Sequence, residues 1–156
     1  MIAGETALAQ KEKYHSIFIY NFSKYVKWPN EQSNGDFVIG VYGSSEIVND
    51  LKVMAASKKV NGQNIRIEEF NSMEKVGSCH ILYIAANESD KINQIVGATK
   101  GSPVLIVTDE PGMAQKGSVI NFVEVGGKSK FELNQQTAES RGLKVSSSLT
   151  TLAIMV

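Results

Sequence analysis

Apolar and polar positions alternate along this chain with two periods, and the switches between them predict the elements. Over residues 5–27 the spacing is helical: Tyr14, Ile17, Phe18, Ile19, Phe22, Tyr25, Val26 and Trp28 share a broad arc. Ser16, Ser23, Lys24 and Lys27 hold the opposite side, joined there by Tyr20. Pro29 stops the helix by disfavouring α geometry at Trp28. The polar stretch 30–36 reads as a loop.

From there strands and helices take turns. Residues 37–42 (FVIGVY) are apolar enough for a strand covered on both faces. A helix follows over 46–57, capped by a serine of Gly43-Ser44-Ser45 and led by Ile47, Leu51, Met54 and Ala55. A turn at 60–63 opens a half-buried strand over 64–70, with Ile65 and Ile67 on one face. Strand 80–85, helix 88–98 and buried strand 104–107 continue the alternation. Residues 118–125 and 128–133 form a hairpin across Gly126-Gly127. Two short helices end the chain, 135–141 stopped by Gly142 and 147–155 with Ser146 as its cap. This order predicts an α/β fold: a single three-layer domain over 1–156, with 1–13 leading into the first helix. Its mixed β-sheet has about six strands, and the C-terminal hairpin and two short helices complete it.

Charge narrows the functional classes. Sixteen basic and sixteen acidic side chains cancel, which leaves no cationic excess for nucleic acid. No apolar run approaches the roughly 18 residues that span a bilayer. The opening MIAGETALAQKEK has no basic region followed by an apolar core, so no signal peptide is visible in it. The one cysteine, Cys79, has no internal disulfide partner and reads as a buried thiol.

Candidate chemistry is sparse. Asp109 ends a buried strand, where open α/β sheets place ligands, and its bland role is to cap the turn Glu110-Pro111-Gly112. Phosphotransfer to it would need carboxylates after the first strand, and that position reads Val41-Tyr42-Gly43-Ser44-Ser45. Ser146 could present a hydroxyl and helix amides to an anion, or simply cap. His15 falls within the apolar arc as a core histidine, and His80 lacks zinc-type spacing. No metal site, cofactor site or catalytic constellation is expected. The aromatic first helix could bury its whole arc or leave Tyr20, Phe22, Tyr25 or Trp28 as partner anchors.

Several segments together resemble the YfiR family. Phe18 to Pro29 (FIYNFSKYVKWP) matches its first helix ending, and residues 37–43 its first strand. Val60-Asn61-Gly62 matches the following turn and residues 79–84 its cysteine-led strand. Val107-Thr108-Asp109, Gly112, Gly117, Ile120, Phe122, Phe131 to Asn134, Ala138, Gly142 to Ser147 and Leu149 to Leu152 match the long C-terminal signature. The resemblance spans roughly residues 14–156. It implies a secreted periplasmic α/β protein, often dimeric and made with a leader. It also implies a non-enzymatic regulator that binds the periplasmic part of a membrane-bound diguanylate cyclase and lowers cyclic-di-GMP synthesis. An OmpA-like lipoprotein relieves that restraint by sequestering the regulator. Better-known members use disulfides, and the unpaired Cys79 departs from them. On this reading Tyr20, Tyr25 and Trp28 are the expected anchors. The competing reading is a small-ligand sensor with a cleft at the strand C-terminal ends near Asp109 and Ser146.

Overall fold

The computed structural model describes residues 3–29, 34–43 and 45–156. Part of the expected loop 30–36 and Ser44 of the expected cap lie outside these. Helix α1 (Ala3–Tyr25) opens the fold, so the expected lead-in is itself helical from Ala3. It is followed by β1 (Val26–Lys27), β2 (Phe37–Tyr42), α2 (Ile47–Ser57), β3 (Lys59–Val60), β4 (Gln63–Phe70), β5 (Ile81–Ile84), α3 (Ile92–Ala98) and β6 (Leu105–Thr108). Then come β7 (Ile120–Val125), β8 (Lys128–Leu133), α4 (Gln135–Ser140), β9 (Lys144–Val145), α5 (Ser147–Leu152) and β10 (Ile154–Met155).

The main sheet has the order β10-β8-β7-β6-β5-β2-β4-β3. Strands β4, β2, β5, β6 and β7 run parallel, and the β7–β8 hairpin is antiparallel. Six of these strands have four residues or more, and two-residue strands close both edges. The mixed sheet expected from the alternation is present.

Side-chain alternation divides the core. Phe37, Ile39 and Val41 of β2, with Ile81 and Tyr83 of β5, join α1, α2, α4 and α5 on one face. Val38 and Tyr42, with Leu82 and Ile84, meet Ile92 and Ile95 of α3 on the other. Both faces of the central strands are therefore covered, as their continuous apolar runs require.

Local chemistry sets the junctions. Ser45 Oγ accepts from Ile47 N–H at the head of α2 (3.3 Å), and Asn134 Oδ1 accepts from Thr137 N–H at the head of α4 (3.1 Å). Gly126 and Gly127 carry φ of 59° and 78°, the two left-handed positions of a tight hairpin turn. Gly117 has φ 112°, and a Cβ there would stand 2.7 Å from Val96 Cγ2.

Three expectations are corrected. Helix α1 ends at Tyr25 rather than Lys27, because Val26–Lys27 pair antiparallel with Lys144–Val145. The last helix stops at Leu152, and Ile154–Met155 pair instead with Glu132–Leu133 as an edge strand. The buried face of α1 is also rotated from the expected arc. Tyr14 and Ile17 are 56% and 48% exposed, whereas Ser16 and Ser23 are buried. Each serine hydroxyl donates to the carbonyl three residues back, Ser16 to Lys13 and Ser23 to Tyr20, so burial leaves neither unsatisfied. Ser45, just before α2, bonds to Glu12, and Lys59, the first residue of β3, bonds to Tyr20, on either side of Ser16, so α2 packs along this side of α1.

Candidate functional site

Helix α1 carries the features with the most functional content, on two different faces. Its sheet-side face builds an aromatic cluster. Phe22 is fully buried 5.1 Å from the Phe131 ring and 5.9 Å from Phe122, and His15 stacks on Phe122 at 3.8 Å with 4° between planes. Its outward face presents Tyr14, Ile17, Asn21 and Lys24 in one row at spacings of three and four residues. Tyr20 and Tyr25, both half-buried, flank that row on either side.

The anchors named from sequence are held to different degrees. The Tyr20 hydroxyl donates to the Lys59 carbonyl at 3.4 Å, and its ring lies 5.4 Å from Lys24 Nζ and 5.8 Å from Lys58 Nζ. Tyr25 lies 5.8 Å from Lys24 Nζ, and its carbonyl accepts from Ser146 N–H. Trp28 is half-buried. Its indole N–H donates to the His80 carbonyl at 3.1 Å, and its ring meets Phe37 edge-on at 5.1 Å. His80 Nδ1 in turn accepts from Val38 N–H at 3.1 Å. Trp28 and His80 thus tie the end of α1 to β2 and β5.

Asp109 stands at the carboxyl end of β6, lining a cleft of about 490 Å³ with Lys11, His15, Glu110, Phe122 and Glu124. Its carboxylate lies 3.5 Å from Lys11 Nζ and 3.7 Å from His15 Nδ1, and accepts from the Tyr83 hydroxyl at a long 3.4 Å. The carboxylate is directed at these groups, and the Glu110 N–H is accepted instead by Asn121 Oδ1 at 3.3 Å. Asn121 belongs to a buried polar knot. Thr108 Oγ1 lies 2.8 Å from both Ser118 Oγ and Asn121 Oδ1, and Asn121 Nδ2 donates to Glu132 at 3.1 Å.

Burial governs the titration of this cluster. It lowers the His15 pKa to about 3, with the Lys11 charge adding to the effect. Burial raises Asp109, opposed by Lys11 and Tyr83. Tyr83 is raised by burial and then by the Asp109 charge. At neutral pH the site therefore holds a neutral imidazole beside a carboxylate whose ionised form is poorly solvated. Cys79, on the opposite face of the sheet, is pushed up to about 12 by burial and hydrogen bonds to the Val76 carbonyl, which describes an unreactive thiol.

Ser146 is far from Asp109. Lys11 and Tyr25 mark the two contact points on α1, and at roughly 1.5 Å per residue they stand about 20 Å apart. Ser146 begins α5 through its carbonyl, which accepts from Leu149 and Thr150, and its side chain makes no capping bond. Among the described residues no group of three or more His, Cys, Asp or Glu could hold a metal. No helix among them is long and apolar enough to cross a membrane.

Residues 12–154 match the family described as YfiR/HmsC-like. The chain belongs to that family. The matched span includes Tyr20, Tyr25, Trp28, Asp109 and Ser146, and also Tyr14, Ile17 and His15. A crystal structure of a conserved domain protein from Vibrio cholerae O1 biovar El Tor strain N16961 shares the fold, with TM-score 0.62 at 13% identity. The match covers 92% of this chain and 59% of that one, so this chain spans less than two thirds of its length.

The surface positions that sequence periodicity missed are Tyr14 and Ile17. Both belong to the apolar arc, and the tertiary packing that buries Ser16 and Ser23 turns them outward. A serine pair at i and i+7 on an otherwise apolar helix was the available signal.

Proposed function

We propose that this YfiR/HmsC-like protein is a non-enzymatic periplasmic regulator acting by contact with a membrane partner. The partner is the periplasmic region of a diguanylate cyclase, and binding lowers cyclic-di-GMP synthesis. Family membership supports the class of partner. The observation that carries the contact surface is the outward row of α1, where Tyr14 and Ile17 stay more than two-fifths exposed on an otherwise well-packed helix. Tyr20 and Tyr25 extend this surface on both sides, and Trp28 holds its far end against the sheet. Aromatic and aliphatic side chains on one rigid helix lose little entropy on docking and form the usual centre of an interface.

A regulator of this kind shifts the cyclase only through different affinities for its active and inactive states. An OmpA-like lipoprotein that covers the same α1 surface would compete with the cyclase and relieve the restraint. The test is affinity capture from envelope extract with cyclic-di-GMP measured in parallel. Recovery of a membrane-anchored cyclase, and a rise in cyclic-di-GMP when the regulator is deleted, are the expected results. A cyclic-di-GMP pool indifferent to deletion, with no cyclase recovered, would contradict the proposal.

A further inference from the structure

The cleft at the carboxyl ends of β5 and β6 contains two acceptors that face each other without a donor between them. His15 Nδ1 is buried and has no hydrogen-bond partner among the described residues. Asp109 Oδ2 lies 3.7 Å away, too far for a direct bond and close enough to share one donor atom. With the ring proton on Nε2, the Nδ1 lone pair points into the gap, and burial keeps the imidazole neutral and able to accept. A nitrogen bearing two or more hydrogens can sit at about 2.8 Å from both atoms.

Charge selects the same chemistry. Asp109, Glu110 and Glu124 line the cleft, and Lys11 is the one lysine or arginine among its described lining residues. The Lys11 side chain is 43% exposed and its Nζ lies 3.5 Å from the same Asp109 Oδ2 that faces His15, so a ligand cation would take its place as Lys11 swings into solvent. Lys11, Glu124 and Ser129 are shared with an adjoining groove of about 510 Å³, walled by Tyr14 and Phe18. Those rings offer an apolar surface to whatever carries the cation.

We propose that this cleft binds a small organic cation, a primary ammonium or guanidinium on an apolar body, held by Asp109 and His15. Lys11 is the internal cation that the ligand displaces, and the body lies in the groove beside Tyr14 and Phe18. The polar groups of the site lie to one side of the outward row of α1, and its groove shares Tyr14 with that row.

Calorimetric titration of the whole chain with benzylamine and phenylguanidine, against benzyl alcohol and benzoate, tests this. Saturable binding of the two cations and of neither comparator is expected. Lys11→Met removes the competing ammonium and tightens benzylamine binding about two- to fivefold. His15→Phe keeps the stack on Phe122 but loses the acceptor, and weakens benzylamine about tenfold or more. Equal response to benzylamine and benzyl alcohol would overturn the proposal, as would no saturable binding of either cation, the result if water alone fills the gap. Unchanged or weaker binding by Lys11→Met would overturn it too, and that variant leaves the core untouched.

Discussion

His15 Nδ1 stands 3.7 Å from Asp109 Oδ2, an imidazole and a carboxylate brought together from the first helix and the end of the sixth strand, yet not bonded. His15 is buried against Phe122, and its protonation is therefore coupled to folding.

The sign of that coupling follows from the shift. The pKa of His15 drops from 6.5 to about 3 on folding, so below pH 6.5 the unfolded chain binds a proton that the native state does not. Stability is fully present above pH 6.5 and falls as pH drops, by up to about 1.4 kcal/mol per pH unit. Asp109 has the opposite sign, with its folded pKa raised above 3.8, so its contribution offsets the loss only near the carboxylate range. Urea unfolding between pH 7 and pH 5 is expected to show the loss. His15→Phe should flatten that slope.

Gly117 is closed to substitution on two counts. Its φ of 112° disfavours any side chain, and a Cβ would press on Val96 at 2.7 Å. Gly117→Ala is expected to cost about 1–3 kcal/mol in urea unfolding. An unchanged midpoint would mean that the segment between β6 and β7 relaxes freely.

The knot around Thr108 predicts a polar cost. Thr108→Val keeps the shape but leaves Ser118 and Asn121 short of a partner in a buried site. A loss of about 1–3 kcal/mol is expected from thermal or urea unfolding. Because Asn121 also accepts from Glu110 N–H, hydrogen exchange at Glu110 should rise in the same variant.

The two faces of α1 separate stability from binding. Phe22→Ala empties a fully buried site in the aromatic cluster and is expected to cost about 3–5 kcal/mol. Ile17→Ser changes an exposed position and should stay within about 0.5 kcal/mol of the parent in the same unfolding assay.

Much of the fold was legible because long runs carry a clear period. The strands at Phe37–Tyr42 and Leu105–Thr108, and the hairpin across Gly126-Gly127, follow from apolar runs and turn chemistry. The two-residue pairs β1–β9 and β8–β10 have no period to read, and the apolar LAIMV end suits helix or strand equally. The site was less legible for a different reason. Asp109 was visible from its place at a strand end, but Lys11 and His15 reach it from the opposite part of the sequence. Nothing local marks that convergence. The outward turn of Tyr14 and Ile17 likewise depends on tertiary packing, which a single helix's wheel does not contain.

The outward row of α1 is the surface proposed to dock on a cyclase. The most direct measurement is the affinity of the purified chain for the purified periplasmic region of the cyclase, compared with a Tyr14→Ser/Ile17→Ser double variant. Loss of two interface anchors predicts binding weakened by about thirtyfold or more, with the variant's unfolding midpoint near that of the parent. Undiminished affinity in the double variant would contradict the claim and move the interface off this helix.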